Sequence, residues 1–261
     1  MSTDVIIATQ ALSKHYGKVR AVDGLNLEVR RGEIYGFLGR NGAGKTTTIR
    51  MMLGLIRPSA GTVQAFGEPI GSDQEWLRRV GFLVESATAY PNLTVRENLD
   101  LQRRLTGAPR TATDAVIERL SLGEYADRRA GRLSLGNKQR LSLARALLHS
   151  PELIILDEPA NALDPAGIVE IRQLLRELAG AGVTVFMSSH ILAEVAQLAD
   201  RIGIVHNGRL VEEASREVLA GRAREYVQDN FTDAEREQAL LTADLERYFL
   251  ARTGGTDRED H

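Results

Sequence analysis

The residues from Gly39 to Thr46 read GRNGAGKT and meet the spacing G-x-x-x-x-G-K-[ST] with Gly39, Gly44, Lys45 and Thr46. That loop is built to hold phosphate. Glycines let backbone N–H groups converge on phosphate oxygens without a Cβ in the way, and the start of a helix adds partial positive charge. Lys45 brings a full charge to the β and γ phosphates, and the Thr46 hydroxyl can ligand Mg²⁺. Gly39, Arg40, Asn41, Gly42, Ala43, Gly44, Lys45, Thr46 and Thr47 are therefore expected to line the nucleotide phosphates. Further along, LIILDEP ends an apolar run in two acids. Asp157 is suited to orienting Mg²⁺ through its water shell, and Glu158 to polarising an attacking water, a general-base role worth on the order of 10²- to 10⁴-fold in rate. His190 follows Ser189 just past VTVFM, where its side chain could reach a γ phosphate. His15, His149, His206 and His261 have no such placement.

These groups work only if strands deliver them to one edge of a sheet. Short β-rich segments at 5–8, 25–29 and 34–38 open the chain, and the last runs directly into the glycine-rich loop. A helix is expected at 45–55, a strand at 62–65 after Pro58 and Gly61, and a buried strand at 80–84. From Thr94 the period becomes helical, with Thr94 and Glu97 in capping-box spacing, a second helix near 115–120 and a third after Ser134. Strand and helix then alternate, with strands at 153–157, 183–187, 202–205 and 209–211 and helices at 166–179 and from 191. Such alternation predicts an α/β fold of the phosphate-loop NTPase type: a mostly parallel, helix-covered sheet with an N-terminal antiparallel β subdomain. One ATPase domain is expected over 1–221, with a helical subdomain over about 86–150. Beyond it, 222–261 is dense in charge, with Leu240, Leu241, Leu245, Tyr248 and Phe249 spaced for an amphipathic helix and a loose GGTDREDH end.

Composition narrows the chemistry. With 43% apolar and 26% charged residues, the 261-residue chain is an ordinary globular protein, and a net charge of −2 gives no electrostatic footprint for nucleic acid. The absence of cysteine excludes disulfides, zinc–thiolate and iron–sulfur centres and thiol catalysis. Apolar stretches stay well short of the ~20 residues a membrane span requires, and the acidic start MSTDVIIATQ does not read as a signal peptide, so a cytoplasmic location is expected. Internal repeats and low-complexity tracts are absent from the sequence.

In this order and spacing, the motifs resemble those of the ATP-binding subunits of ABC transporters over about 5–219. The added feature is LSLGN at Leu133 to Asn137, similar to the family's signature loop, in which Ser134 can cap a helix and Gly136 allows close backbone approach. The resemblance implies ATP and Mg²⁺ as ligands and a second copy of the chain, bound head to tail, whose Ser134, Gly136 and Asn137 complete the nucleotide site. It also implies Tyr16 as the ring under adenine, Ala162, Leu163 and Asp164 as a loop at the dimer interface, and His190 as a switch histidine. Two features depart from the family pattern: Glu85 stands where a glutamine is usual, keeping a possible Mg²⁺ ligand with added negative charge, and in the signature loop Leu135 and Asn137 replace glycine and glutamine. With AYPNLTVRENL and DLERYFLARTGG, they resemble the bacitracin-resistance and lantibiotic-immunity branch, whose members export peptide antibiotics. The function implied is that of an ATPase powering export through a separate transmembrane permease, peripheral on the inner face of the membrane. Rival readings are a soluble ABC ATPase acting on ribosomes or DNA, and an ATP-switched binding module with little hydrolysis.

Overall fold

The computed structural model describes residues 4–71, 75–84, 89–230 and 248–253. Two long strands, β1 (Val5–Tyr16) and β2 (Val19–Arg30), form an antiparallel pair whose inward face repeats every second residue, as Leu25, Leu27 and Val29 show. β3 (Ile34–Leu38) follows, then the phosphate loop and α1 (Lys45–Met52). The chain returns as β4 (Ala60–Ala65) and β5 (Glu68–Pro69) to the first sheet, ordered β2-β1-β4-β5. It then runs through β6 (Val80–Leu83), helices α2 (Val95–Thr106), α3 (Ala112–Arg119) and α4 (Leu135–Leu147), and β7 (Leu153–Asp157). Alternation up to a final hairpin and helix completes it: α5 (Pro165–Gly180), β8 (Thr184–Ser189), α6 (Leu192–Leu198), β9 (Arg201–His206), β10 (Arg209–Ser215) and α7 (Arg216–Asn230).

The second sheet has the order β10-β9-β3-β8-β7-β6, parallel except for the antiparallel edge strand β10. Every residue of β3, β7 and β8 is buried, which a parallel sheet covered on both faces requires. Odd and even positions serve different cores. Ile154 and Leu156 pack with α4, α5 and α6, whereas Leu153 and Ile155 pack with Phe37, Phe186, α1 and the first sheet. Each such side chain contributes roughly 1.5–3 kcal/mol when fully buried. β3 lies between β8 and β9: from it the chain crosses to the edge strand β6 and returns through β7 and β8, so the loops after β3, β7 and β8 open side by side at the carboxyl ends of the strands.

The antiparallel subdomain, the parallel core and the helical stretch before β7 match the sequence-based expectation, and the Thr94–Glu97 capping box is formed in both directions at 3.1 and 2.7 Å. The differences have local causes. β1 continues past the expected end at Ala8 to Tyr16 through register shifts around Ala11, where φ is 47°, and its polar middle breaks the alternation that marks a strand. The first helix stops at Met52 because Gly54 turns left-handed at φ 67°. Position 221 falls inside the continuous helix α7, whose Leu219 and Ala223 join the main core. Of the amphipathic pattern near the end, Leu240, Leu241 and Leu245 lie outside the described residues, as does GGTDREDH.

Tyr248 and Phe249 lie in a helical segment at 248–252 that docks against β10. Its anchor is Glu212, a buried carboxylate that accepts hydrogen bonds from Tyr248 Oη at 2.7 Å, Arg222 Nη1 at 2.6 Å and Arg252 Nε at 3.0 Å. Burial alone would raise this carboxyl, but the Tyr248 hydroxyl and the two guanidinium groups hold it below the usual glutamate range. A depressed folded-state value means that the clasp stabilises the protein above the unfolded glutamate range and is lost as pH falls through the lowered value. Glu212→Ala is expected to cost about 1–3 kcal/mol, discounted for the half-exposed arginines, and to strip hydrogen-exchange protection from residues 249–253. Unchanged protection there at neutral pH would contradict the clasp.

Candidate phosphate and hydrolysis site

The loop between β3 and α1 is shaped by its close neighbours. A Cβ on Gly44, whose φ is 102°, would come within 2.3 Å of Ala21 O, and one on Gly39 within 2.6 Å of Val205 Cγ1. Backbone bonds hold the loop in place, from Gly39 N to Ser189 O at 3.1 Å and from Gly208 N to Ala43 O at 3.0 Å. Arg40, Asn41 and Gly42 form its exposed rim, Ala43 is buried, and Thr47 sits half-buried in the first turn of α1. Lys45 is only 6% exposed, yet all three of its N–H donors have acceptors. They are Gly39 O at 2.7 Å, Arg40 O at 3.4 Å and Glu158 Oε1 at 3.1 Å.

Strand pairing brings the acids to the same place. β7 and β8 align Asp157 with Ser188, and Asp157 receives a hydroxyl on each oxygen: Thr46 Oγ1 donates to Oδ2 at 2.7 Å and Ser188 Oγ to Oδ1 at 2.5 Å. Glu158 divides its carboxylate as well, with Oε1 on Lys45 and Oε2 on His190 Nδ1 at 2.8 Å. A carboxylate accepts only, so His190 carries a proton on Nδ1. The backbone of Glu158 is left-handed at φ 51°, a conformation costing of order 1–3 kcal/mol that the surrounding contacts must hold.

Lys45, Thr46, Asp157, Glu158 and His190 thus converge as expected. Tyr16, at the end of β1, presents a half-exposed ring with Lys14 Nζ 5.3 Å from its centroid. Ser134, Gly136 and Asn137 lie elsewhere. Ser134 Oγ caps α4 by accepting from Asn137 N at 3.3 Å, and among the described residues no hydrogen bond joins this trio to the phosphate loop. Glu85 falls outside the described residues. Ser188 escaped the sequence reading, since only the β7–β8 register reveals that it faces Asp157. Gln139, whose amide reaches the carbonyl of Pro159 at 3.0 Å, was likewise invisible in spacing.

Among the described residues no cluster of three or more His, Cys, Asp and Glu could hold a metal unaided. The adjacent oxygens of Thr46 and Asp157 instead suit a hard divalent cation such as Mg²⁺ that arrives with phosphate and completes its shell with phosphate oxygens and water. The Gly44 cradle, the buried ammonium and this oxygen pair together fit a magnesium-bound nucleoside triphosphate, with a carboxylate positioned to take a proton from water.

Comparison with known proteins agrees. The ABC transporter family model matches residues 22–161. The chain is 50% identical over 244 residues to the bacitracin transport ATP-binding protein BcrA of Bacillus licheniformis, covering 92% of this chain and 79% of the relative. It is 35% identical to the lantibiotic transport ATP-binding protein SrtF of Streptococcus pyogenes, over 80% of this chain and 90% of that one. Among solved structures, the ATP-binding subunit of an ABC transporter superposes with a TM-score of 0.77 at 26% identity, over 92% of this chain and 99% of the other. The dimeric structure of a cassette in a post-hydrolysis state with ADP and Pi gives 0.75 at 26% identity, over 81% and 99%. The chain belongs to the ABC transporter family, as one of its ATP-binding, ATP-hydrolysing proteins.

Proposed function

We propose that two copies of this chain, placed head to tail, hydrolyse ATP at two shared sites and thereby drive export through a separate membrane-spanning permease. The observation carrying this is the Lys45–Glu158–His190 bridge, in which the loop cation and the histidine share the candidate base. The γ phosphate competes with Glu158 for Lys45, so substrate binding itself frees Oε1. Glu158 then takes a proton from water as the water oxygen bonds to the γ phosphorus and the bond to the ADP oxygen breaks. His190 Nδ1–H keeps the freed carboxylate oriented through Oε2. Thr46 and Asp157 hold Mg²⁺, which when bound neutralises phosphate charge. Tyr16 stacks on adenine, and the second copy's lid, with Ser134, Gly136 and Asn137, closes over the phosphates. The dimeric cassette with ADP and Pi supports such pairing.

Among the described residues no helix is long and apolar enough to cross a membrane. A groove of about 280 Å³ between β6, α2 and α4, with Phe82 and the 71% exposed Leu105 on its rim, suits an amphipathic segment of the permease, which seats the chain at the inner membrane face. The names of the two relatives, for bacitracin and lantibiotic transport, support a peptide antibiotic as cargo.

Glu158→Gln is expected to lower kcat roughly 10²- to 10⁴-fold while leaving an ATP- and Mg²⁺-dependent dimer visible by light scattering. A variant as fast as the wild type, or one that stays monomeric, sinks the assignment. Leu105→Asp is expected to reduce stimulation of ATPase by the reconstituted permease roughly tenfold while the isolated chain still turns over. Equal loss in both assays counts against the groove.

A further inference from the structure

The left-handed backbone of Glu158 is held from two sides. Ser188 Oγ accepts the Glu158 N–H at 3.1 Å, and opposite it the Gln139 amide lies 3.0 Å from Pro159 O and 3.4 Å from Glu158 O. Carbonyl oxygens only accept, so Gln139 turns its NH₂ toward both, and at 7% exposure little water can replace it. Gln139 belongs to α4, the helix that begins with Leu135, Gly136 and Asn137 behind the Ser134 cap. The same helix grips the far end of the turn that carries Glu158. A Cβ on Gly136 would stand 3.3 Å from Ala162 O, and Arg140 pairs with Glu170 on α5 at 2.5 Å. The lid residues, the amide that holds Glu158 and the turn at 158–164 therefore form one packed unit.

We infer that Gln139 is a positioning residue that fixes the Glu158–Pro159 backbone from the helix whose first turn lids the partner's nucleotide, so that closing a lid on one site sets the base in the other. This coupling rests on the head-to-tail dimer proposed above, in which each nucleotide takes its base from one chain and its lid from the other. Each α4 then touches both sites, and a small displacement at its start moves the donor that holds Glu158.

Gln139→Met keeps the side chain's length and removes both donors. In the full chain, kcat is expected to fall roughly 10- to 100-fold, as for a slightly misplaced catalytic group, with KM for ATP changing less than about threefold. The wild-type rate should rise more steeply than hyperbolically with ATP, and the variant's Hill coefficient should fall toward one. Combined with Glu158→Gln, the variant should still form the ATP-dependent dimer. If the methionine variant is unstable, Gln139→Glu, of the same shape without the donor, must show the same loss of kcat. A kcat within about twofold of wild type, an unchanged Hill coefficient, or a rate loss matched by loss of the dimer overturns the inference. If Glu158→Gln alone turns over normally or fails to dimerise, the dimeric reading falls and takes this coupling with it. A Glu158→Gln that is slow and forms the ATP-dependent dimer, beside an unaffected Gln139→Met, sinks the coupling alone.

Discussion

A buried ammonium cannot be left without acceptors, and much of this fold supplies them to Lys45. Two are loop carbonyls, which requires the chain to double back at Gly39 and Gly44 in conformations and contacts that a Cβ would block. The third is the Glu158 carboxylate, carried in from the end of β7. β8 lies between β3 and β7, and its Ser188 fills the gap by tying Asp157 to the Glu158 backbone. Loop, strand order and acid placement are thus answers to one electrostatic demand. Phosphate oxygens would meet the same demand.

The chemistry was legible where it is local. The glycine and lysine spacing, DEP after an apolar run and the histidine past VTVFM each name a strand end and a group on it, and the structure brings them together. What escaped depends on who lies beside whom. Ser188 looks like the tail of a strand until β8 is set next to β7, and Gln139 like an ordinary helix residue until α4 is laid on the Pro159 carbonyl. The clasp of Glu212 with Tyr248 and Arg252 joins residues far apart in the chain, and no period or motif announces it. The outer half of β1 was missed for a different reason, since polar residues and a left-handed Ala11 interrupt its alternation.

Asymmetry between the two halves of the signature region gives α4 its character. Its capped start is open, with Leu135 64% exposed, while Gln139, Leu141 and Leu143 are buried within two turns. An apolar residue offered to solvent beside a capped helix start gives this end of α4 the character of a contact surface.

The central position of β3 has a consequence in time. Its neighbours on both sides, Val185 and Phe186 on β8 and Arg201 and Ile202 on β9, are made long after the glycine-rich loop itself. The loop's own backbone anchor, Ser189 O, is equally late. During synthesis the nucleotide-binding motif therefore emerges before β8 and β9, the two strands between which its own strand is seated. Nucleotide affinity should consequently appear only after β9 has been made, and act as a report that the sheet has closed.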